Sequence, residues 1–150
     1  MTTTVIAMLN ELIETAKDVE QGFTKAAEEA QHASVNEALL ESAVHCSRGT
    51  RELQELVFKL GGKPGSGGSV AGALHRSWLN MKSAVGTRTD DAILADCEKD
   101  EDTAEKRFHV ALERNLPADV NAVVARLYND VAQDLDRIRE LRVQLAATKP

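Results

Sequence analysis

Four long stretches of this chain carry an apolar residue at every third or fourth position, and no stretch of the 150 residues alternates as a strand would. The first runs Ile6, Leu9, Ile13, Ala16, Phe23, Ala27, Ala30. The second runs Val35, Leu39, Cys46, Gly49, Leu53, Leu56, Leu60. Leu94, Cys97, Ala104, Phe108 and Ala111 mark a third, and Val120, Val124, Leu127, Val131, Ile138, Leu141 and Leu145 a fourth. Such spacing gives each helix one buried stripe and leaves only helix-on-helix packing to cover it. The chain holds one Trp, one Tyr and three Phe, so the core is made of Leu, Val, Ile and Ala.

Punctuation between the stripes sets the expected boundaries. The first helix starts at a Thr3 or Thr4 cap and runs to about residue 30. Ser34, with Glu37 three residues on, reads as a capping box opening the second helix. Gly61-Gly62 ends it, and residues 62–68 form a glycine-rich loop. A shorter helix over residues 69–85 follows, with Trp78 on its buried side. Asp90 opens the next helix, to about residue 115, and Pro117 at its first position opens the last, to about residue 147.

The tight joints within the first and last pairs make each pair an antiparallel hairpin. The 69–85 segment, about 17 residues or ~25 Å long, can carry the chain from one end of the molecule to the other. The expected fold is all-α: a single domain, an antiparallel four-helix bundle of two hairpins with a short crossover helix, the ferritin-like connection.

Three stripe positions carry acids: Glu20, Glu101 and Asp134. A buried carboxylate without compensation is costly, so a cation, a shared proton or an arginine must answer each. At 1.5 Å per residue, Glu20 lies roughly 24 Å along its helix, Glu101 about 16 Å, and Asp134 roughly 25 Å, with His45 at the matching height on the second helix. One member from each long helix is thus expected at a common level, with Glu98 and Glu52 in reserve. Inward carboxylates and imidazole on four helices are how di-iron and di-manganese bundles bind metal. Those centres use a Glu-x-x-His pair on each of two helices. The chain's one such pair, Glu29–His32, falls at a helix end. The competing expectation is a structural layer in which Arg48, Arg51, Arg126 or Arg137 pairs with the acids and no metal binds.

A net charge of −6 argues against nucleic acid and anionic membrane as partners, since both require a basic face. No run is long and apolar enough to span a bilayer, and no leader pattern precedes the first helix. Cys46 and Cys97 read as reduced, buried thiols, so a cytoplasmic location is expected. The glycine-rich loop lacks the Gly-Lys-Ser/Thr ending of a phosphate loop, which excludes nucleotide binding of that kind.

Several motifs together resemble a bacterial family described as ferritin-like four-helix bundles. They are Leu9-Asn-Glu-Leu-Ile-Glu14, Asp18-x-x-x-Gly22-Phe23-x-x-Ala26-Ala27-Glu28 and Glu52-Leu53-Gln54, with Gly61-Gly62 and Gly72-Ala-Leu-His-Arg-x-Trp78. Glu101-Asp102, Leu116-Pro117 and Arg137-Ile-Arg-x-Leu-Arg142 complete them. The resemblance spans nearly the whole chain. It implies the bundle fold and, by analogy with the superfamily, iron handling or a stress-related role. Two functional expectations follow. In one, Glu20, His45, Glu101 and Asp134 bind iron or manganese, with Glu52 or Glu98 bridging or supporting. In the other, the chain is a non-enzymatic helical interaction module, pairing with a copy of itself or another helical protein.

Overall fold

The computed structural model describes residues 2–65 and 88–148. Four α-helices account for nearly all of them: α1 (Thr2–Glu29), α2 (Ala33–Lys59), α3 (Asp90–Leu112) and α4 (Ala118–Thr148). The expected helix over residues 69–85, with His75, Arg76 and Trp78, lies outside the described residues.

Cross-helix bonds fix the topology. Gly65 N–H donates to Asn10 Oδ1 at 2.9 Å, so the chain leaves α2 beside the start of α1. Arg88 pairs with Glu29 at 2.7 Å, so it enters α3 beside the end of α1. These flanks lie at opposite ends of the bundle. α3 therefore runs parallel to α2 and antiparallel to α1, as the ferritin-like connection requires. Arg126–Glu52, His45–Asp134 and Arg137–Glu41 then place α4 antiparallel to α2. The two hairpins have the broadest packing, followed by the α1–α3 seam, and α2–α4 is the narrowest.

The core divides into two apolar clusters. Val19, Phe23, Val35, Leu39, Ile93, Leu94 and Ile138 fill the end near the α1–α2 turn. Leu9, Ile13, Leu53, Val57, Phe108, Val120 and Val124 fill the other. The acidic level lies where they meet.

The glycine signal at the end of α2 performs as the sequence suggests. Gly61 adopts φ +84°, Gly62 N–H donates to Val57 O at 3.0 Å, and Gly61 N–H donates to Phe58 O at 3.0 Å. That is the Schellman pattern, which only a left-handed residue at this point can close. A Cβ on Gly62 would lie 2.8 Å from Ile6 Cγ2, so the turn also needs a glycine there for close approach.

Two boundaries differ from the sequence reading. Ser34 does not cap α2: the cap position is His32, which makes no side-chain cap bond, and Ser34 lies inside the first turn. The compensation comes from α3. Asp90 carboxylate oxygens accept from Gln31 N–H at 2.9 Å and His32 N–H at 2.8 Å, and a second contact joins His32 Nδ1 at 2.6 Å. Pro117 sits one residue before α4, where its carbonyl accepts from Asn121 N–H at 2.8 Å. At the start of α3, Thr89 Oγ1 accepts from Ala92 N–H, an ordinary side-chain cap.

Candidate functional site

Glu101 is 0% exposed and Asp134 2% exposed, so both acids on the α3 and α4 stripes are in the core. Glu20 is not. Val19, one residue earlier, takes the inward position on α1, because the buried face there is two residues wide at most turns (Leu12 with Ile13, Thr15 with Ala16, Phe23 with Gly22). The Glu20 side chain stays 21% exposed, with Oε2 3.4 Å from Lys17 Nζ.

His45, from α2, meets Asp134 as the helical ruler placed it: Nδ1 is 3.0 Å from Oδ1 and 3.2 Å from Oδ2. Burial pushes the Asp134 carboxyl up from its ordinary range. The neighbouring His45, the Arg137 charge and a hydrogen bond from Ser42 offset part of that rise. Glu101 has no such help. Neither of its oxygens has a hydrogen-bond partner. Burial, then the negative charges of Asp134, Asp100 and Glu105, push its carboxyl well above the ordinary range.

Between these groups lies a cavity of about 30 Å³, lined by His45, Cys46, Glu101, Asp130 and Asp134 together with apolar neighbours that include Ala16 and Val19. Its size matches about one water molecule. It lies against the narrow α2–α4 seam, where Gly49 faces Leu127.

Cys46 faces the same cavity. Burial, then Glu101, Asp134 and Glu20, push its thiol far up, and Cys97 is pushed up by burial and by Asp100 and Asp96. Nucleophilic or redox chemistry needs the thiolate, which this surrounding suppresses. Native protein is expected to show no reaction with a thiol-specific reagent at mildly alkaline pH, and both free thiols should react after denaturation. Prompt labelling of the folded chain would contradict the burial of both.

The remaining candidates lie outside this cavity, each with a basic partner. Glu52 pairs with Arg126 at 3.0 Å, and Glu98 lies 3.6 Å from Arg142 and 3.9 Å from Arg139. Arg137, expected as a partner for the core acids, reaches Glu41 at 3.1 Å and acts on Asp134 only through its charge. Among the described residues, no three His, Cys, Asp or Glu side chains are placed to hold a metal ion. A ferritin-type centre needs several carboxylates and imidazoles converging on each metal. Here the donors are spread between an unpartnered buried acid, an acid–histidine pair and outer ion pairs, which does not fit a di-metal centre.

Comparison with known proteins agrees with this architecture. A family model described as a domain of unknown function, DUF2383, matches residues 4–114. The chain belongs to the DUF2383 family. It is also similar to a solved two-domain protein from Anabaena variabilis that contains DJ-1/ThiJ/PfpI-like and ferritin-like domains, at 12% identity and a TM-score of 0.80. That match covers 100% of this chain and 39% of the Anabaena protein, so the chain spans about two fifths of it. At such identity the likeness speaks for the ferritin-like fold alone. No protein with a curated description matches the chain. Among the described residues, no helix of this DUF2383 protein is long and apolar enough to cross a membrane.

The sequence missed Asp90 as a structural group, because nothing local distinguishes a residue that caps a turn 58 positions away. It also missed Cys46 as a neighbour of the acids. The signal was present there, since Cys46 lies next to His45 on the same stripe.

Proposed function

We propose that this DUF2383 protein is a non-enzymatic, ferritin-like helical module whose core acids form a proton-bearing polar layer and whose work is done through its surfaces. The observation that carries this reading is Glu101: fully buried, with two unpartnered oxygens and negative neighbours, it is compensated by its own proton. A layer of this kind costs stability but restricts which register of the four helices is acceptable, since any slip would leave Asp134 without His45.

A second reading, one iron or manganese ion between Glu101 and Asp134, is favoured by the same unpartnered oxygens and the adjoining cavity. Elemental analysis of freshly purified protein, followed by anaerobic ferrous titration and exposure to air, separates the two. The module reading expects substoichiometric metal and no oxidation signal beyond the iron-only control. Stoichiometric metal that is lost in Glu101→Gln would overturn it.

A further inference from the structure

α1 and α3 enclose an open trough of about 550 Å³. Its floor is apolar, with Met8, Leu12 and Ala111, and Val110 stands on its α3 edge 52% exposed. The two edges differ in sign. On α1 the trough is lined by Glu11 and Glu14; opposite, it is lined by Lys106 and Arg107 of α3 and by Arg114 just past the end of that helix. Lys106 is held by Asp102 at 2.9 Å. Arg107 donates to the hydroxyl of Thr15 at 2.9 Å and has no carboxylate partner among the described residues. Arg107 lies in α3 and Arg114 two residues beyond its end at Leu112, and both border the same trough. Among the described residues, a chain with a net charge of −6 thus keeps two guanidinium groups along one groove without carboxylate partners, opposite an acidic edge of the same groove.

A surface with an acidic left edge, an apolar floor and a basic right edge is complementary to itself under one symmetry operation. A two-fold axis parallel to the bundle sets α1 of one copy against α3 of the other and keeps every residue at its own height. The Arg107–Thr15 bond fixes those heights within the chain: Glu14 lies level with Arg107, and Glu11 lies about one turn, ~5 Å, further toward the end of α3 that Arg114 follows. In the paired copy each acid therefore meets an arginine, and Val110 covers the partner's Leu12. An axis perpendicular to the bundle would instead oppose like edges, which repel.

We infer that the α1–α3 trough is the face through which two copies of this chain pair. The inference rests on the reading of the protein as an association module and names the partner as a second copy.

Light scattering on the full chain during size exclusion, at tens of micromolar, is expected to give twice the chain mass. Glu11→Lys with Glu14→Lys should give a monomer, as should Arg107→Glu with Arg114→Glu. Mixing the two variants should restore the dimer, because each then offers the edge the other lacks, and that recovery also shows that both are folded. Should either double variant fail to fold, Val110→Asp, at an exposed position, is expected to split the dimer alone. A monomeric wild type, a dimer untouched by charge reversal, or a dimer split by Phe58→Glu on the outer face of α2 and not by the trough variants would each overturn the inference. Metal analysis is independent of all of these outcomes. A metal-free monomer defeats the pairing alone, and a metal-loaded dimer defeats the module reading alone.

Discussion

Asp90→Ala is expected to destabilise the folded chain by about 1.5–3 kcal/mol, the range for losing hydrogen bonds to a charged acceptor. The residue is 5% exposed and caps the α1–α2 turn from α3, accepting two backbone N–H groups and contacting the His32 ring. Its removal leaves two backbone donors of the turn without their protein partner. For a chain of this length the melting midpoint should fall by about 3–12 °C. Asp90→Asn keeps an acceptor of the same shape and should cost less, about 1–2 kcal/mol. The pH dependence has a definite sign. Burial alone would raise the Asp90 carboxyl, but the bonds from Gln31, His32 and the His32 ring more than reverse this and leave it below its ordinary range. Its contribution is therefore complete above the unfolded value, near pH 3.9, and is lost as the pH falls through the lower folded value. Thermal melts of wild type and Asp90→Asn should converge in strong acid. Melts that stay parallel across the acid range would show that the charge does not act there.

Glu101→Gln should behave in the opposite way. The folded carboxyl titrates above its unfolded value, so the fold favours the neutral acid. Wild-type stability from this group is intact below the unfolded value and declines as the pH climbs through the folded one. Glutamine is neutral throughout and nearly isosteric. The variant should match wild type near pH 4 and exceed it increasingly toward about pH 9, with the gap equal to the deprotonation cost the wild type then bears. Denaturant unfolding at a series of pH values measures this. A variant less stable than wild type at every pH would mean that Glu101 is held as a carboxylate by a positive partner, which would remove the basis of the proton-bearing layer. Glu101→Lys, by contrast, places an ammonium among apolar side chains and Asp134, and that pairing tests whether opposite charge alone can fill the gap.

These two residues also show what the sequence made legible. Glu101 and Asp134 stood out because they interrupt an apolar stripe of fixed period, and the period is a property of one helix that needs no knowledge of its neighbours. The height estimate that matched His45 to Asp134 worked for the same reason: helical rise is nearly constant. Glu20 shows the limit of the method. A seam traced through Ile6, Leu9, Ile13 and Ala16 reaches position 20 as readily as 19. Only packing against two neighbouring helices decides that Val19 is buried outright, while Glu20 stays 21% exposed beside Lys17 with its Oε2 covered. Partner choice was also hidden. Arg126 and Arg137 are close in sequence to the core acids, yet they reach across to Glu52 and Glu41 on α2. Capping failed similarly at Ser34. A local capping pattern lost to a carboxylate from another helix, because Asp90 satisfies two donors of the turn at once and a serine would satisfy one.

The uneven packing of the four helices bears on how the chain acquires its fold. Most close approaches join α1 to α2 and α3 to α4, each across a joint of a few residues, so both hairpins can assemble rapidly from local collisions. Bringing one hairpin onto the other must close the long connection from residue 65 to residue 88 first, and that entropic toll makes docking the slow event. Groups that act only across the two seams, Asp90 among them, are therefore expected to form after the barrier, so that losing one shortens the lifetime of the native state while leaving the speed of its formation almost untouched.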